Sequence, residues 1–146
     1  MKRILILCTG NSCRSQMAMG YLQSIDSTLD VHSAGTNPTS SVNPYAVRVM
    51  FEDGIDLSSA KPKSVELFLD QEWDFVITVC GGANASCPVF YGKVRKRMHL
   101  GFDDPASAVG TEEVIFDEFR RIRDEIKAGM QNFYISEIMA NKNCCV

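Results

Sequence analysis

The sequence lacks long apolar runs, internal repeats and low-complexity linkers. No uninterrupted apolar stretch approaches the roughly 18 residues that a membrane-spanning helix needs. The first apolar run, residues 4–7, is too short for the core of a secretory signal peptide. We therefore expect no membrane partner and no export, and we place the protein in the cytoplasm.

Histidine is also scarce, and no two cysteines stand in the Cys-x2-Cys spacing that is typical of zinc sites. We therefore expect no metal. Without an export signal, the cysteines are not expected to form a structural disulfide framework, so catalytic or redox use is favoured. The six cysteines are Cys8, Cys13, Cys80, Cys87, Cys144 and Cys145.

An excess of charge of one sign is absent as well, because 15 Lys and Arg stand against 18 Asp and Glu, for a net charge of -3. This balance gives no general reason to expect nucleic acid as a partner, and positive potential is expected only around Arg14. The 146 residues, 45% of them hydrophobic, fit one globular domain. We place that domain at residues 1–140, followed by a short tail at 141–146, and expect a monomer.

Strand and helix patterns alternate along the chain. The predicted strands cover residues 4–7, 31–34, 75–79 and 97–100, and the predicted helices cover residues 15–25, 44–54, 64–69 and 112–139. This alternation predicts an α/β fold, with a parallel four-stranded sheet covered by helices on both faces. Ligands of such folds bind beyond the carboxyl ends of the strands, where Cys8, Cys80 and the loop after Leu100 are expected to meet.

The loop after the first strand is suited to bind a tetrahedral oxyanion. Gly10 allows a sharp turn, the backbone N–H groups form an anion nest, and the following helix adds its positive N-terminal end. The Arg14 guanidinium supplies a planar fork of donors for two oxygens. The predicted binding residues are Thr9, Gly10, Asn11, Ser12, Cys13, Arg14 and Ser15.

Cys8 lies at the start of this loop, where the same field favours its thiolate form. A thiolate beneath a bound oxyanion is a nucleophile placed against an electrophilic centre. The alternative is that Cys8 is a buried residue at the end of a strand, packing as a small hydrophobe. The strand before it, the glycine and serine within the loop, and the helix after it favour the catalytic interpretation.

Cys80 and Cys87 flank a segment of glycines and small residues that is cheap to deform. A disulfide requires Cα atoms within about 7 Å, so joining these two cysteines is expected to need a rearrangement of that segment. We predict a redox pair. The alternative is that Cys80 is a buried strand-end residue and Cys87 an ordinary loop residue.

The acidic loop Gly101-Phe-Asp-Asp-Pro105 supplies a candidate proton donor for the leaving oxygen. Asp104 is the choice, because Pro105 restricts its backbone to extended geometry. Asp103 is expected to cap or brace the loop instead. The alternative is a plain Asp-Pro turn without a catalytic role.

Together these motifs resemble those of the thioredoxin-coupled arsenate reductases, which share the fold of the low-molecular-weight tyrosine phosphatases. The matching motifs are Cys8-Thr-Gly-Asn-Ser-Cys-Arg-Ser-Gln-Met-Ala18, Ser33-Ala34-Gly35, Val42-Asn43-Pro44, Cys80 with Cys87, and Gly101-Phe-Asp-Asp-Pro105. The first and last are shared in outline with the phosphatases, whereas the Cys80/Cys87 pair is specific to the reductases.

The resemblance implies reduction of arsenate to arsenite by a three-cysteine relay without a bound cofactor. In such a relay Cys8 attacks arsenate held by Arg14 and the loop amides, and Asp104 protonates the departing oxygen. Cys80 then attacks Cys8 and releases arsenite. Cys87 attacks Cys80, and thioredoxin reduces the resulting Cys80–Cys87 disulfide.

The resemblance also assigns supporting roles. Ser15 is expected to hydrogen-bond the Cys8 thiolate, Asn11 to brace the loop, and Cys13 to serve in packing. Two departures from the family pattern stand out. Met19 and Lys63 occupy positions where some relatives carry acids of a potassium site, which argues against potassium here, and the tail cysteines Cys144 and Cys145 have no place in the relay.

Two other functions remain open at this point. The first is a phosphatase that uses Cys8, Arg14 and Asp104 through a phosphocysteine intermediate and needs neither Cys80 nor Cys87. The second is a non-catalytic module that binds oxyanions or senses oxidation.

Overall fold

Four parallel strands form the sheet of the protein. The computed structural model describes residues 1–82 and 87–140. Its strands are β1 (Arg3–Cys8), β2 (Asp30–Gly35), β3 (Trp73–Thr78) and β4 (Val94–His99), in the spatial order β2-β1-β3-β4. The apolar run of β1 is fully buried at the centre of the sheet, as expected for a strand with neighbours on both sides.

Three longer helices accompany the sheet. They are α1 (Arg14–Ile25), α2 (Pro44–Glu52) and α3 (Glu112–Phe133), and α3 continues as a π-helix over Tyr134–Met139. Short 3-10 helices span Val65–Phe68 and Pro105–Ser107. The predicted α/β fold with a parallel four-stranded sheet is confirmed. None of the described helices is long and apolar enough to cross a membrane.

Helix starts follow local capping chemistry. Asn43 accepts a hydrogen bond from the N–H of Tyr45 at 2.9 Å, and Pro44 occupies the first turn, where its missing N–H costs nothing. Thr111 caps α3 by accepting from the N–H of Val114 at 3.2 Å. These caps fix where α2 and α3 begin.

The core lies between the sheet and the apolar stripe of α3. Phe119, Ile122 and Ile126 on that stripe are buried, and Phe133 meets Phe75 of β3 edge to face, with 5.1 Å between the ring centroids. Residues at helical spacing thus form one continuous apolar surface. This packing anchors β3, whose end carries part of the candidate site.

Strand β4 differs from its prediction, because it begins at Val94 and ends at His99, whereas the sequence pattern predicted residues 97–100. It is an edge strand, and most of its side chains are exposed. The charged residues at its start therefore carry no alternating apolar signal. The predicted tail at 141–146 lies outside the described residues, so the proposed domain boundary stays a prediction.

We expect Ile122→Ala to lower the free energy of unfolding by about 3 kcal/mol, because it opens a cavity in the core. Ile122 is 0% exposed, whereas Ile135, which is 58% exposed, offers a matched control. Ile135→Ala should cost less than about 0.5 kcal/mol. Urea denaturation of both variants measures the difference, and equal losses would contradict the assignment of the core.

Candidate active site

The ends of β1 and β3 lie side by side, since Leu7 pairs with Thr78 in the parallel register. Cys8 ends β1, and Cys80 follows β3 after one further residue. The hydroxyl of Thr9 lies 3.4 Å from the sulfur of Cys80. The structure therefore brings the loop after β1 into contact with Cys80, at the sheet edge where the sequence predicted them to meet.

The sulfur of Cys8 is buried and receives two polar contacts from its own loop. The N–H of Asn11 donates to it at 3.1 Å, and the Ser15 hydroxyl lies 2.8 Å away. Both groups can donate to a thiolate. The loop therefore wraps the sulfur with donors that stabilise its charged form.

Asn11 sets the direction of the Ser15 hydroxyl. Its side-chain N–H donates to Ser15 Oγ at 2.7 Å, which leaves the hydroxyl proton of Ser15 available to Cys8. Asn11 is fully buried and has a φ of 51°, a left-handed conformation that asparagine tolerates better than most residues. The predicted bracing position of Asn11 matches these contacts.

Gln16 completes this bracing and is a residue that the sequence analysis did not single out. Its side-chain N–H donates to the backbone oxygen of Asn11 at 3.2 Å, to its side-chain oxygen at 3.1 Å and to the Lys61 carbonyl at 3.2 Å. The Asn11 side-chain oxygen also accepts from the N–H of Lys63 at 2.9 Å. The available signal was a glutamine on the buried face of α1, where an unpaired amide would be costly.

The end of β2 presses against the same loop. A Cβ on Gly35 would lie 2.4 Å from the carbonyl oxygen of Thr9, so no side chain fits there. The N–H groups of Thr36 and Asn37 donate to the carbonyls of Cys8 and Thr9, at 3.1 and 2.9 Å. This close approach explains why a glycine ends β2.

Arg14 opens α1 and is held from the far side of the site. Its guanidinium donates to the carbonyl of Phe102 at 3.0 Å and lies 3.8 Å from the carboxylate of Asp104. Asp104 also accepts from the N–H of Ala106 at 3.0 Å. The loop after β4 thus reaches the predicted oxyanion loop, and Arg14 joins the two.

Asp103 and Asp104 face different partners. Asp104 lies against Arg14, whereas Asp103 lies 3.4 Å from Arg121 of α3 and is largely exposed. The preference for Asp104 as the acid near the oxyanion loop therefore agrees with the geometry, and Asp103 has the position of a brace.

Cys13 is buried within the loop, and burial raises the pKa of its thiol to about 12. The hydroxyl of Ser12, 3.8 Å from the sulfur, opposes this rise only weakly. Cys13 is therefore a neutral thiol at ordinary pH, in agreement with a packing role.

The other cysteines differ in their surroundings. Cys80 is buried, whereas Cys87 is half-buried and faces a cavity of about 300 Å³ whose wall includes Thr78, Arg97 and His99. Arg97 Nη1 lies 3.9 Å from the Cys87 sulfur. Residues 83–86 lie outside the described residues, so the predicted rearrangement between Cys80 and Cys87 stays a prediction. The tail cysteines Cys144 and Cys145 lie outside them as well.

The residues near Asn11 do not fit a potassium ion. Met19 and Lys63 line a cavity of about 480 Å³ beside Gln16, and they offer a thioether and an ammonium group where a cation needs oxygen ligands. Both contacts to the Asn11 side-chain oxygen come from N–H donors. Gln16 Oε1 is buried without a partner among the described residues, and it offers only one neutral oxygen. The described residues also contain no group of three His, Cys, Asp or Glu side chains that could hold a metal.

Comparison with known proteins agrees with this geometry. The family model described as low molecular weight phosphotyrosine protein phosphatase matches residues 3–143. Arsenate reductases from Halalkalibacterium halodurans and Bacillus subtilis are 46% and 45% identical over 133 residues, which cover 90% of this chain and 94% of each relative. A solved arsenate reductase in its phosphate-binding state superposes with a TM-score of 0.77 at 29% identity, covering 91% of this chain and 96% of that one.

We expect Cys13 to stay unmodified when the native protein is treated with iodoacetamide at about pH 8, because the thiolate form is required and a pKa of about 12 leaves almost none of it. Peptide mass mapping should show Cys87 modified under the same conditions. Denaturing the protein first should make Cys13 reactive. Alkylation of Cys13 at the rate of Cys87 in the native protein would contradict this picture.

Proposed function

The chain belongs to the low molecular weight phosphotyrosine protein phosphatase family, and on this premise we propose that it reduces arsenate to arsenite. The observation that carries the proposal is a second thiol beside the nucleophile loop, since the sulfur of Cys80 lies 3.4 Å from the hydroxyl of Thr9, the residue after Cys8. A phosphatase hands its covalent adduct to water and needs no such thiol. The names of the relatives at 45% and 46% identity support the same activity.

In the first step the Cys8 thiolate attacks the arsenic atom of bound arsenate. A sulfur–arsenic bond forms and an arsenic–oxygen bond breaks, and Asp104 supplies the proton with which that oxygen leaves as water. Arg14 and the loop N–H groups hold the remaining oxygens. The donors from Ser15 and Asn11 support the thiolate before this step, and their distances of 2.8 and 3.1 Å suit charge-assisted hydrogen bonds.

In the second step the Cys80 thiolate attacks the sulfur of Cys8. A Cys8–Cys80 disulfide forms, and the electron pair of the sulfur–arsenic bond stays on arsenic, which leaves as arsenite. The two thiols are oxidised and As(V) is reduced to As(III), so the electrons balance. Burial of both cysteines supports this step, because it keeps water away from the adduct.

In the third step Cys87 attacks Cys80, which releases the Cys8 thiolate and moves the disulfide to Cys80–Cys87. Thioredoxin, a dithiol protein, then reduces this disulfide and is itself oxidised. Cys87 is the one half-buried cysteine among the four described, which supports its role as the place where electrons enter. The relay uses no bound cofactor, and its need for reduced thiols places the protein in the cytoplasm.

Residual phosphatase activity is a second proposal. Cys8, Arg14 and Asp104 form a set that also suits phosphoryl transfer through a phosphocysteine, and one arsenate reductase of the same fold has been solved in a phosphate-binding state. This activity would be independent of Cys80 and Cys87.

We expect Cys8→Ser, Cys80→Ser and Cys87→Ser each to abolish multiple turnover of arsenate with thioredoxin, thioredoxin reductase and NADPH. Cys87→Ser should still release about one arsenite per chain, because it blocks only the last exchange. It should also still hydrolyse p-nitrophenyl phosphate. Cys13→Ser, the control, should turn over normally, and undiminished turnover in Cys87→Ser would overturn the relay.

We also propose that activity does not depend on potassium, because Met19 and Lys63 replace the acids that would hold it. Exchanging KCl for NaCl at constant ionic strength should change the KM for arsenate by less than about twofold. The double variant Met19→Glu/Lys63→Asp restores carboxylates and should make the KM respond to the cation. A strong potassium response in the wild type would contradict the proposal.

A further inference from the structure

Positive charge is concentrated in one stretch of this acidic chain. All 18 Asp and Glu residues lie outside residues 75–102, whereas four of the 15 Lys and Arg residues lie inside that stretch. The stretch runs from β3 to the loop before Asp103, and it contains both Cys80 and Cys87. The sequence analysis expected local positive potential only around Arg14, so this second region is an addition.

The four cations lie on or just before the exposed edge strand β4. Two of them have carboxylate partners, since Arg95 lies 3.5 Å from Asp74 and Lys96 lies 2.6 Å from Glu137. The other two, Lys93 and Arg97, make no ion pair with a carboxylate among the described residues. Their charges are therefore available to a partner.

Arg97 is the cation beside the outermost relay thiol. Its guanidinium lies 3.9 Å from the Cys87 sulfur and 5.3 Å from the centre of the Phe90 ring, which holds it near the loop after Cys87. When Cys87 is a thiolate, Arg97 has an anionic neighbour. When Cys87 enters a disulfide, that negative charge is lost and the Arg97 charge is no longer balanced.

Exposed apolar side chains complete this region. Val89 and Tyr91, in the loop between Cys87 and β4, are 77% and 82% exposed. We call Cys87, Val89, Tyr91, Lys93 and Arg97 the exit surface. It combines an apolar centre with cations, which is the composition of a protein interface rather than of a purely electrostatic surface for a polyanion.

We propose that the exit surface docks a dithiol protein reductant whose active-site rim is acidic. This inference rests on the proposed function and specifies the partner of its last step. Carboxylates of the reductant pair with Lys93 and Arg97, while Val89 and Tyr91 pack around its attacking cysteine. Because oxidation of Cys87 removes the anion beside Arg97, the oxidised protein attracts the reductant more strongly than the reduced protein does.

The test follows reduction of the Cys80–Cys87 disulfide and omits arsenate. The protein is oxidised with diamide, the disulfide is verified by peptide mapping, and stopped-flow fluorescence records its reduction by a reduced thioredoxin of net negative charge. We expect the double variant Lys93→Glu/Arg97→Glu to lower the second-order rate constant at least about tenfold at low ionic strength. The difference should shrink in about 0.5 M salt.

Two controls separate docking from other effects. Arg48→Glu makes one charge reversal on exposed α2 and should change the rate constant by less than about twofold. Dithiothreitol, which needs no docking surface, should reduce the wild type and the double variant within about twofold of each other. In Lys93→Glu, the first turnover of arsenate without reductant should be unchanged.

Equal rate constants with thioredoxin for the wild type and the double variant would overturn the proposal, as would an equal loss with dithiothreitol. Binding of duplex DNA that depends on Lys93 and Arg97, without any effect on thioredoxin, would assign the surface to a nucleic acid instead. A protein that fails to reduce arsenate but shows the expected thioredoxin dependence would defeat the proposed function and leave the docking surface standing. Failure to form the Cys80–Cys87 disulfide would overturn both.

Discussion

The hydrogen bond between the Ser15 hydroxyl and the Cys8 sulfur is the interaction on which the rest of the site depends. Its direction is set by Asn11, which donates to the same hydroxyl and is itself fixed by Gln16 and by the backbone of Lys63. A buried network of this kind is stable only if its members are satisfied together. The donors are therefore already oriented toward the sulfur before any anion arrives, which lowers the reorganisation that the reaction requires.

Much of this arrangement was predictable because it is local in the sequence. A buried apolar strand, a glycine-containing loop and a helix start within fourteen residues, and the resemblance to a known family added the roles of Ser15 and Asn11. The contact between Arg14 and the Phe102 carbonyl was not predictable, since it joins segments 88 residues apart. The start of β4 was missed for a different reason, because an exposed edge strand carries no burial pattern.

Burial distinguishes the thiols and gives the proposed chemistry a direction. Cys8 and Cys80 are buried, and Cys87 is half-buried. Cys13 lies in the same loop as Cys8, yet burial holds the pKa of its thiol at about 12 and keeps it neutral. The loop can thus contain two cysteines without ambiguity about which is the nucleophile, because hydrogen-bond donors from within the loop reach the sulfur of Cys8 as a charged acceptor.

The edge strand β4 has a consequence for how the protein behaves when many copies are crowded together. An edge strand presents unpaired N–H and C=O groups that invite a strand from another molecule. On β4 the cations would face those of a second copy, and their mutual repulsion opposes growth of the sheet across molecules. The same row of charges therefore acts as a guard against aggregation, and a mutation that neutralised it would threaten solubility even if the sheet itself folded normally.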